Sequence, residues 1–357
     1  MDLADLATPY VDLDVSVAVG NLRALRAALG GAMIHYAVRA DPDPVLLQRL
    51  CASGASFDVA SPAEVEAALG AGALASELVH GNQVARRSDL AAVHALGVRR
   101  FVVGSVDDVE KVAATAPGSS VLCLLVTSGE ASSWPLARAY GCASSQAVAV
   151  LRGAAALGLR PEGVSLVGSP DGESVSWAAQ FEVAATVFAR LRDVGLAPSV
   201  VDIGAGPSAD LGAGAVDAAL ATCFPDARPR LIARSGPDIV ADTRAVVSTV
   251  LAVSWRGDIR WVHLDAAPGA GLPVPAGAPG RCRIETSADG GPTGPAVLAG
   301  PALDAPDGDP ADGRAVPASL PLALGDGDIV RLAGPHALTA PTAGLRDVAP
   351  VIPLVAG

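Results

Sequence analysis

Lysine is almost missing from this 357-residue chain: of its 25 lysine and arginine residues, one is a lysine, Lys111. A GC-rich genome, which favours arginine codons, would produce that bias. Chemistry that needs a lysine amine nevertheless has a single candidate. Cysteine is sparse too. The five (Cys51, Cys123, Cys142, Cys223, Cys282) are odd in number and scattered with no C-x-x-C pair, which reads as reduced buried thiols in a cytoplasmic protein. No window of about 18 apolar residues is uninterrupted, so no membrane span is expected. The first nine residues carry two aspartates and no basic residue, unlike a secretory signal. The net charge of -12 repels phosphate backbones and anionic lipid. Nucleic acid and membrane are therefore poor partners, and a cationic or neutral small molecule is a better one.

Apolar residues make up 51% of the chain and charged ones 17%, enough to bury a large core and too little charge for a disordered chain. The length suits two domains. Up to about residue 235, short apolar runs alternate with helical stretches. Strands are expected at 33–38, 56–60, 78–81, 101–103, 121–126, 163–167 and 200–203. Helices are expected at 44–53, near 87–96 and 106–114, and at 144–157 and 176–194. Ser61, Pro62 and Glu64 spell a capping box with proline at the first helical position. Seven or eight β/α units in about 220 residues predict a closed (β/α)8 barrel over 15–235. Beyond 236 the helical period disappears and β-rich runs are separated by Gly- and Pro-rich connections. A smaller β-barrel or sandwich domain is expected over 236–357, joined by the segment 1–14.

Particular motifs then accumulate in order: Thr8-Pro9-Tyr10-Val11-Asp12, Tyr36-Ala37-Val38-Arg39, Phe57-Asp58-Val59-Ala60-Ser61 with Glu64, Asn82, Tyr140-Gly141 and Asp202-Ile203-Gly204-Ala205-Gly206. Asp265 and the run from Gly300 through Asp304 to Asp307 follow in the β domain. With these motifs the chain resembles the pyridoxal-phosphate decarboxylases of ornithine, arginine and diaminopimelate, from near residue 8 to near residue 345. The resemblance implies an alanine-racemase-like barrel and a homodimer with sites at its interface.

The same resemblance shows what has changed. The family's strand ends in a Tyr-Ala-Val-Lys type motif whose lysine forms a Schiff base with the cofactor, and Arg39 stands there instead. A guanidinium keeps its proton and cannot supply the neutral amine. Leu166 replaces a ring-stacking histidine, and Arg234 replaces the acid that pairs with the pyridinium nitrogen. Leu303 replaces a catalytic cysteine, and His336 falls near a phosphate-contacting tyrosine. These exchanges lead to the expectation of no cofactor, non-covalent pyridoxal phosphate remaining open.

Asp265 and Asp304 stand where the family grips a substrate's distal ammonium, or else are turn aspartates. Alternation puts His35, Ala37 and Arg39 on the barrel's inner face. A buried Arg39 needs anions, for which Asp58 and Glu64 are nearest. It is either a structural ion pair or a clamp for a substrate carboxylate. Arg39, His336, Asp265 and His35 are the candidate catalytic residues. Asp304, Asp58, Glu64, Arg234 and His80 are the candidate substrate contacts. Ser169, Gly204 and Gly206 are weak candidates for an anion, and no metal is expected. Three functions follow: a cofactor-independent enzyme acting on a small amine or amino-acid-derived substrate, plausible in bacterial specialised metabolism, an inactive binding and regulatory protein, or a protein that holds pyridoxal phosphate without a Schiff base.

Overall fold

The computed structural model describes residues 6–126, 140–166, 177–204, 214–266, 283–300, 315–333 and 351–354. Two compact units emerge, one of 19–239 and one of 1–18 with 240–357. A strand β1 (Tyr10–Asp14) and a helix α1 (Val15–Ala28) come first. Eight parallel strands then close into a barrel: β2 (Met33–Ala37), β3 (Ser56–Val59), β4 (Val79–His80), β5 (Arg100–Val103), β6 (Ser120–Leu125), β7 (Arg160–Leu166), β8 (Val200–Ile203) and β9 (Arg230–Ser235). The β9 strand returns to β2 with Met33 beside Ile232 and His35 beside Arg234. Helices α2 (Pro44–Ala52), α3 (Pro62–Gly70), α4 (Arg87–Ala95), α5 (Val106–Thr115), α6 (Ser144–Ala156), α7 (Trp177–Asp193) and α8 (Ala215–Cys223) alternate with them, and a short α9 (Pro237–Val240) follows β9.

Parallel strands packed on both faces need continuous apolar sequence, and β6 (Ser-Val-Leu-Cys-Leu-Leu) is buried throughout. Helix starts are set by side chains that accept from free backbone donors. Asp43 accepts from Val45 N at 2.9 Å. Ser105 accepts from Asp108 N at 3.1 Å. Ser61 accepts from Glu64 N at 3.3 Å, and Glu64 reaches back to Ala60 N at 2.8 Å. Val79, Val102, Leu122, Leu124, Val200 and Ile232 fill the barrel's middle, with Tyr140 packed against them. At the amino ends of the strands Glu162 holds Arg100 at 2.7 Å and Arg230 at 2.9 Å. These two ion pairs tie β5, β7 and β9 together at their amino ends.

In the other unit the strands are β10 (Arg244–Arg256), β11 (Ile259–Leu264), β12 (Arg283–Thr286), β13 (Thr293–Ala299), β14 (Ala315–Pro321), β15 (Ile329–Ala333) and β16 (Val351–Leu354). Their order is β12-β15-β10-β11-β13-β14, with β1 pairing antiparallel to β10 and parallel to β16. All other pairs are antiparallel except β11 with β13. Val11 of β1 packs in this unit's core with Val246, Val250, Leu264 and Leu332. No helix among the described residues is long and apolar enough to cross a membrane.

Sequence periodicity passed over α8 and β9, because Arg-Leu-Ile-Ala-Arg-Ser carries a charge at each end of a short apolar centre. Two glycines give opposite expectations. A Cβ at Gly163 would collide with the Val200 carbonyl of the adjacent strand, whereas Gly153 inside α6 has nothing within 4 Å. Gly163→Ala should cost about 3 kcal/mol by forcing β7 from β8. Gly153→Ala should add about 0.5–1 kcal/mol through helix propensity. Urea denaturation midpoints of the two variants should therefore move in opposite directions.

Candidate functional site at the carboxyl ends of the barrel strands

Chemistry in β/α barrels sits at the carboxyl ends of the strands. Here β3, β7, β8 and β9 each place a polar side chain on the inner face at that level: Asp58, Ser165, Asp202 and Arg234. Register supports this, because Asp58 pairs with Val79 of the interior cluster, and Ser165 pairs with Asp202. All four are buried. Arg234 donates from Nε to Asp202 Oδ2 at 2.9 Å and from Nη2 to Ser165 Oγ at 3.0 Å. Ser165 Oγ in turn donates to Asp202 Oδ2 at 2.6 Å. Arg234 Nη1 lies 3.7 Å from Asp58 Oδ2, which also accepts from Arg39 Nη2 at 2.9 Å. The result is a chain of alternating charge, Arg39–Asp58–Arg234–Asp202.

Burial dominates the electrostatics of this layer. It pushes the Asp202 carboxyl above its ordinary value, although Arg234 and Ser165 pull the other way. Burial also opposes charge on Arg234. Asp202 and Asp58 outweigh that effect and hold the guanidinium above its ordinary value. Asp58 Oδ1 and Asp202 Oδ1 have no hydrogen-bond partner among the described residues. Glycines make room for the layer. A Cβ at Gly81 would run into Asp58 Oδ1 and lie 2.5 Å from Arg234 Nη1. One at Gly204 would lie 2.5 Å from Leu166 O and 3.1 Å from Arg234 Nη2.

Several expected site residues are placed differently from their sequence reading. The β2 strand ends at Ala37, and Val38–Ala40 form a 3-10 turn that takes Arg39 out of the strand alternation. Its side chain is 46% exposed, not sealed inside the barrel, and it pairs with Asp58. Glu64 is occupied at the start of α3. His35 does face inward, but below the charged layer. It is fully buried, with Nε2 3.0 Å from Glu77 O, the same carbonyl that accepts from Ser56 Oγ at 2.9 Å. His80 alternates with interior Val79 and so lies on the outer face, buried against Phe101 with ring centroids 5.5 Å apart. Burial lowers its pKa. Gly204 donates its N–H to Leu166 O at 2.7 Å, so that amide is not free for an anion.

In the other unit Asp265 accepts from Thr8 Oγ1 at 2.5 Å, Ser248 Oγ at 2.6 Å and Thr249 N at 3.0 Å. His263 stacks on Trp261, with ring centroids 6.4 Å apart. Lys111 lies on α5 and donates to Ala85 O at 3.0 Å. Ser169, Gly206, Leu303, Asp304 and His336 lie outside the described residues. The structure adds Ser165 and Asp202 to the candidates. A lone aspartate in the apolar run Val-Val-Asp-Ile was the signal available for the second. Among the described residues no cluster of three His, Cys, Asp or Glu side chains is arranged to hold a metal.

A closed β/α barrel with a charged layer at its strand ends, in a chain with a second, mostly antiparallel β unit, defines a barrel protein of the decarboxylase fold. The chain belongs to the pyridoxal-dependent decarboxylases: residues 18–241 match the family's pyridoxal binding domain. It is 29% identical over 272 residues to the chloroplastic ornithine decarboxylase of Nicotiana glauca, covering 73% of this chain and 63% of that protein. It is 27% identical over 272 residues to the lysine/ornithine decarboxylase of Selenomonas ruminantium, covering 73% of this chain and 68% of that protein. The matched stretch thus spans about two thirds of these relatives. Among solved structures, the Vibrio vulnificus lysine/ornithine decarboxylase complexed with cadaverine superposes with a TM-score of 0.79 at 26% identity. That match covers 99% of this chain and 96% of the other. The SrLDC variant in complex with PLP shares the fold with a TM-score of 0.81 at 21% identity, over 98% of this chain and 93% of that one.

Family membership overturns the expectation of no cofactor. The matched domain is one that binds pyridoxal, and the relatives are pyridoxal-dependent decarboxylases, so pyridoxal phosphate is the ligand indicated. The physical reason is that losing a lysine removes one covalent bond, whereas a ring and phosphate are held by many non-covalent contacts. Arg39 and Arg234 are the cations of the strand-end layer, and Lys111, the chain's lysine, is held on α5 by Ala85 O.

Two outcomes test the layer and the histidine beneath it. Arg234→Met should cost about 3–5 kcal/mol by leaving buried carboxylates without their cation, and adding Asp202→Asn should recover part of it in denaturant titrations. His35 is held neutral by burial, its pKa lowered from 6.5 to about 4. Because the folded value is the lower one, protonation favours the unfolded chain, and this stability is lost as pH falls from 6.5 toward 4. His35→Gln removes that loss. Between pH 7.5 and pH 5 the parent should lose about 2 kcal/mol more than the variant in urea titrations.

Proposed function

We propose that this chain is a pyridoxal-phosphate-binding relative of the decarboxylases that holds its ligand without a covalent bond to the protein. The observation that carries this reading is the Arg39 to Asp58 ion pair of 2.9 Å, formed at the end of the strand whose family motif supplies the lysine. A guanidinium remains protonated and cannot attack a carbonyl. With its side chain 46% exposed, Arg39 can keep Asp58 on one nitrogen and turn other N–H groups toward a phosphate or carboxylate. Bound pyridoxal phosphate supplies an aldehyde and an electron-withdrawing ring. This chain's own residues supply fixed charge: Asp58 orients Arg39, and Arg234, held by Asp202 and Ser165, presents a permanent cation from the barrel floor.

A small amine is the companion ligand in this reading, supported by the cadaverine complex of the Vibrio relative. A homodimer in the cytoplasm, its thiols reduced, belongs to the same proposal. A binding or regulatory role without turnover is the second reading. It is favoured by the pairing of the charged groups at the described strand ends, where each carboxylate is held by an arginine. Two of the four charged groups there are arginines, and His35 is sealed below them.

Pyridoxal phosphate titrated into the full chain should bind saturably with the absorbance of a free aldehyde. Borohydride treatment followed by intact-mass measurement should leave the protein mass unchanged. Arg39→Met should weaken binding about tenfold or more, the effect of one charge-assisted hydrogen bond. A reduced adduct on Lys111, or release of carbon dioxide from ornithine or lysine, would overturn the reading. So would a failure to bind pyridoxal phosphate at all.

A further inference from the structure

The barrel carries a second chemical feature, apart from the charged layer. Cys123 sits in the middle of β6, and its neighbours Leu122 and Leu124 point into the interior cluster, so its sulfur faces the outer side. Cys142 follows Tyr140 and Gly141 and lies alongside the end of the same strand. It bridges Leu125 in parallel, donates from N to Leu124 O at 3.0 Å, and accepts from Val126 N at 3.0 Å. This pairing puts Cys142 on the face shared by Leu125 and Cys123. The two sulfurs are 3.5 Å apart, both in buried residues.

The short segment at Cys142 is also tied to the barrel mouth. Gly141 N donates to Gln83 Oε1 at 3.1 Å, and Gly141 has a φ of 77° with Leu124 O 2.9 Å from where a Cβ would stand. Tyr140 packs on the interior cluster. A bond between the sulfurs would fasten this segment to β6 and close a chain loop from 123 to 142.

We propose that Cys123 and Cys142 are a redox pair that forms a reversible disulfide when the protein meets a peroxide. The sulfurs, 3.5 Å apart, need to close to the bonding distance of about 2.0 Å. Cys142 is assigned as the attacking residue because it is the less buried of the two, 8% exposed against 0% for Cys123. The hydrogen bond with Cys123 lowers the Cys142 thiol although burial raises it, while that hydrogen bond and burial push Cys123 well up. In the first step the Cys142 thiolate attacks one peroxide oxygen, the O–O bond breaks, and sulfenic acid and water form after protonation. In the second the Cys123 sulfur displaces that hydroxyl, losing its proton, and a second water leaves. Two thiols are oxidised, one peroxide is reduced to two waters, and a small dithiol returns the pair by exchange. In a reducing compartment the resting form is the dithiol.

The test uses the full chain treated with hydrogen peroxide and then alkylated without reductant. Peptide mapping should show one cross-link joining Cys123 to Cys142, with an intact mass lower by about 2 Da. Titratable thiols in denaturant should fall from the five of the sequence to three and return to five with dithiothreitol. Cys123→Ser should abolish the cross-link and leave Cys142 trapped by a sulfenic-acid reagent. Cys142→Ser should leave Cys123 unmodified, and both substitutions are small enough to keep the fold. Five thiols persisting under peroxide, oxidation confined to Cys51 or Cys223, or sulfinate on Cys142 without a cross-link would each overturn the proposal.

Discussion

The barrel depends at its upper end on one buried cation. Arg234 lies between Asp202 and Asp58, with Ser165 taking a further donor, in a layer of almost completely buried groups. Removing these charges from water is costly, and their mutual attraction offsets that cost only while every partner is present. Asp202 shows the balance directly, because burial still leaves its carboxyl above the ordinary value despite Arg234 and Ser165. Arg39 brings the count to two cations and two anions and places the outermost charge where water reaches it. The layer is therefore better understood as a fixed, neutral electrostatic floor than as a set of independent acids and bases.

That floor imposes requirements on the backbone around it. A methyl group at Gly81 would run into Asp58 and Arg234, and one at Gly204 would run into the Leu166 carbonyl with Arg234 close behind it. A glycine motif after an Asp-Ile strand invites a phosphate reading. For Gly204 the structure supplies a nearer reason: its amide is bonded to Leu166 O, and the missing side chain gives Arg234 its space. Packing against a buried guanidinium and approach to an anion demand the same residue, so the glycine alone does not distinguish them.

Much of the fold was legible because the physics is local. Alternating apolar runs and helical periods gave most of the barrel's order, and Ser61, Pro62 and Glu64 marked a helix start that the structure shows within a residue. The strand β9 was not legible, since an arginine stood at each side of its short apolar centre, and one of them is the cation of the floor. The site was harder to read. Arg39 was placed on the strand's inner face by a period of two, but the chain leaves β geometry at Ala37 and a 3-10 turn resets the direction of the side chain. His80 and His35 looked alike as strand histidines, yet one residue of phase puts the first among the helices and the second inside the barrel. Ser165 and Asp202 gain their meaning only from being side by side across two strands that lie far apart in sequence.

The same coupling bears on which side chains positions 39 and 234 can carry. A lysine at position 39 would lie beside Asp58 as Arg39 does, within the Phe57-Asp58 motif that the chain shares with the family. Arg234 would still occupy the floor, fixed by Asp202 and Ser165, and would keep a positive charge where the family's own motif carries an acid. Exchanging Arg234 for that acid by itself would set it beside Asp58 and Asp202, three buried carboxylates with one cation left to balance them. Positions 39 and 234 are therefore coupled through Asp58, the carboxylate that their guanidinium groups share. Arg39 and Arg234 are for this reason parts of one electrostatic unit, whose positive charge Asp58 and Asp202 balance.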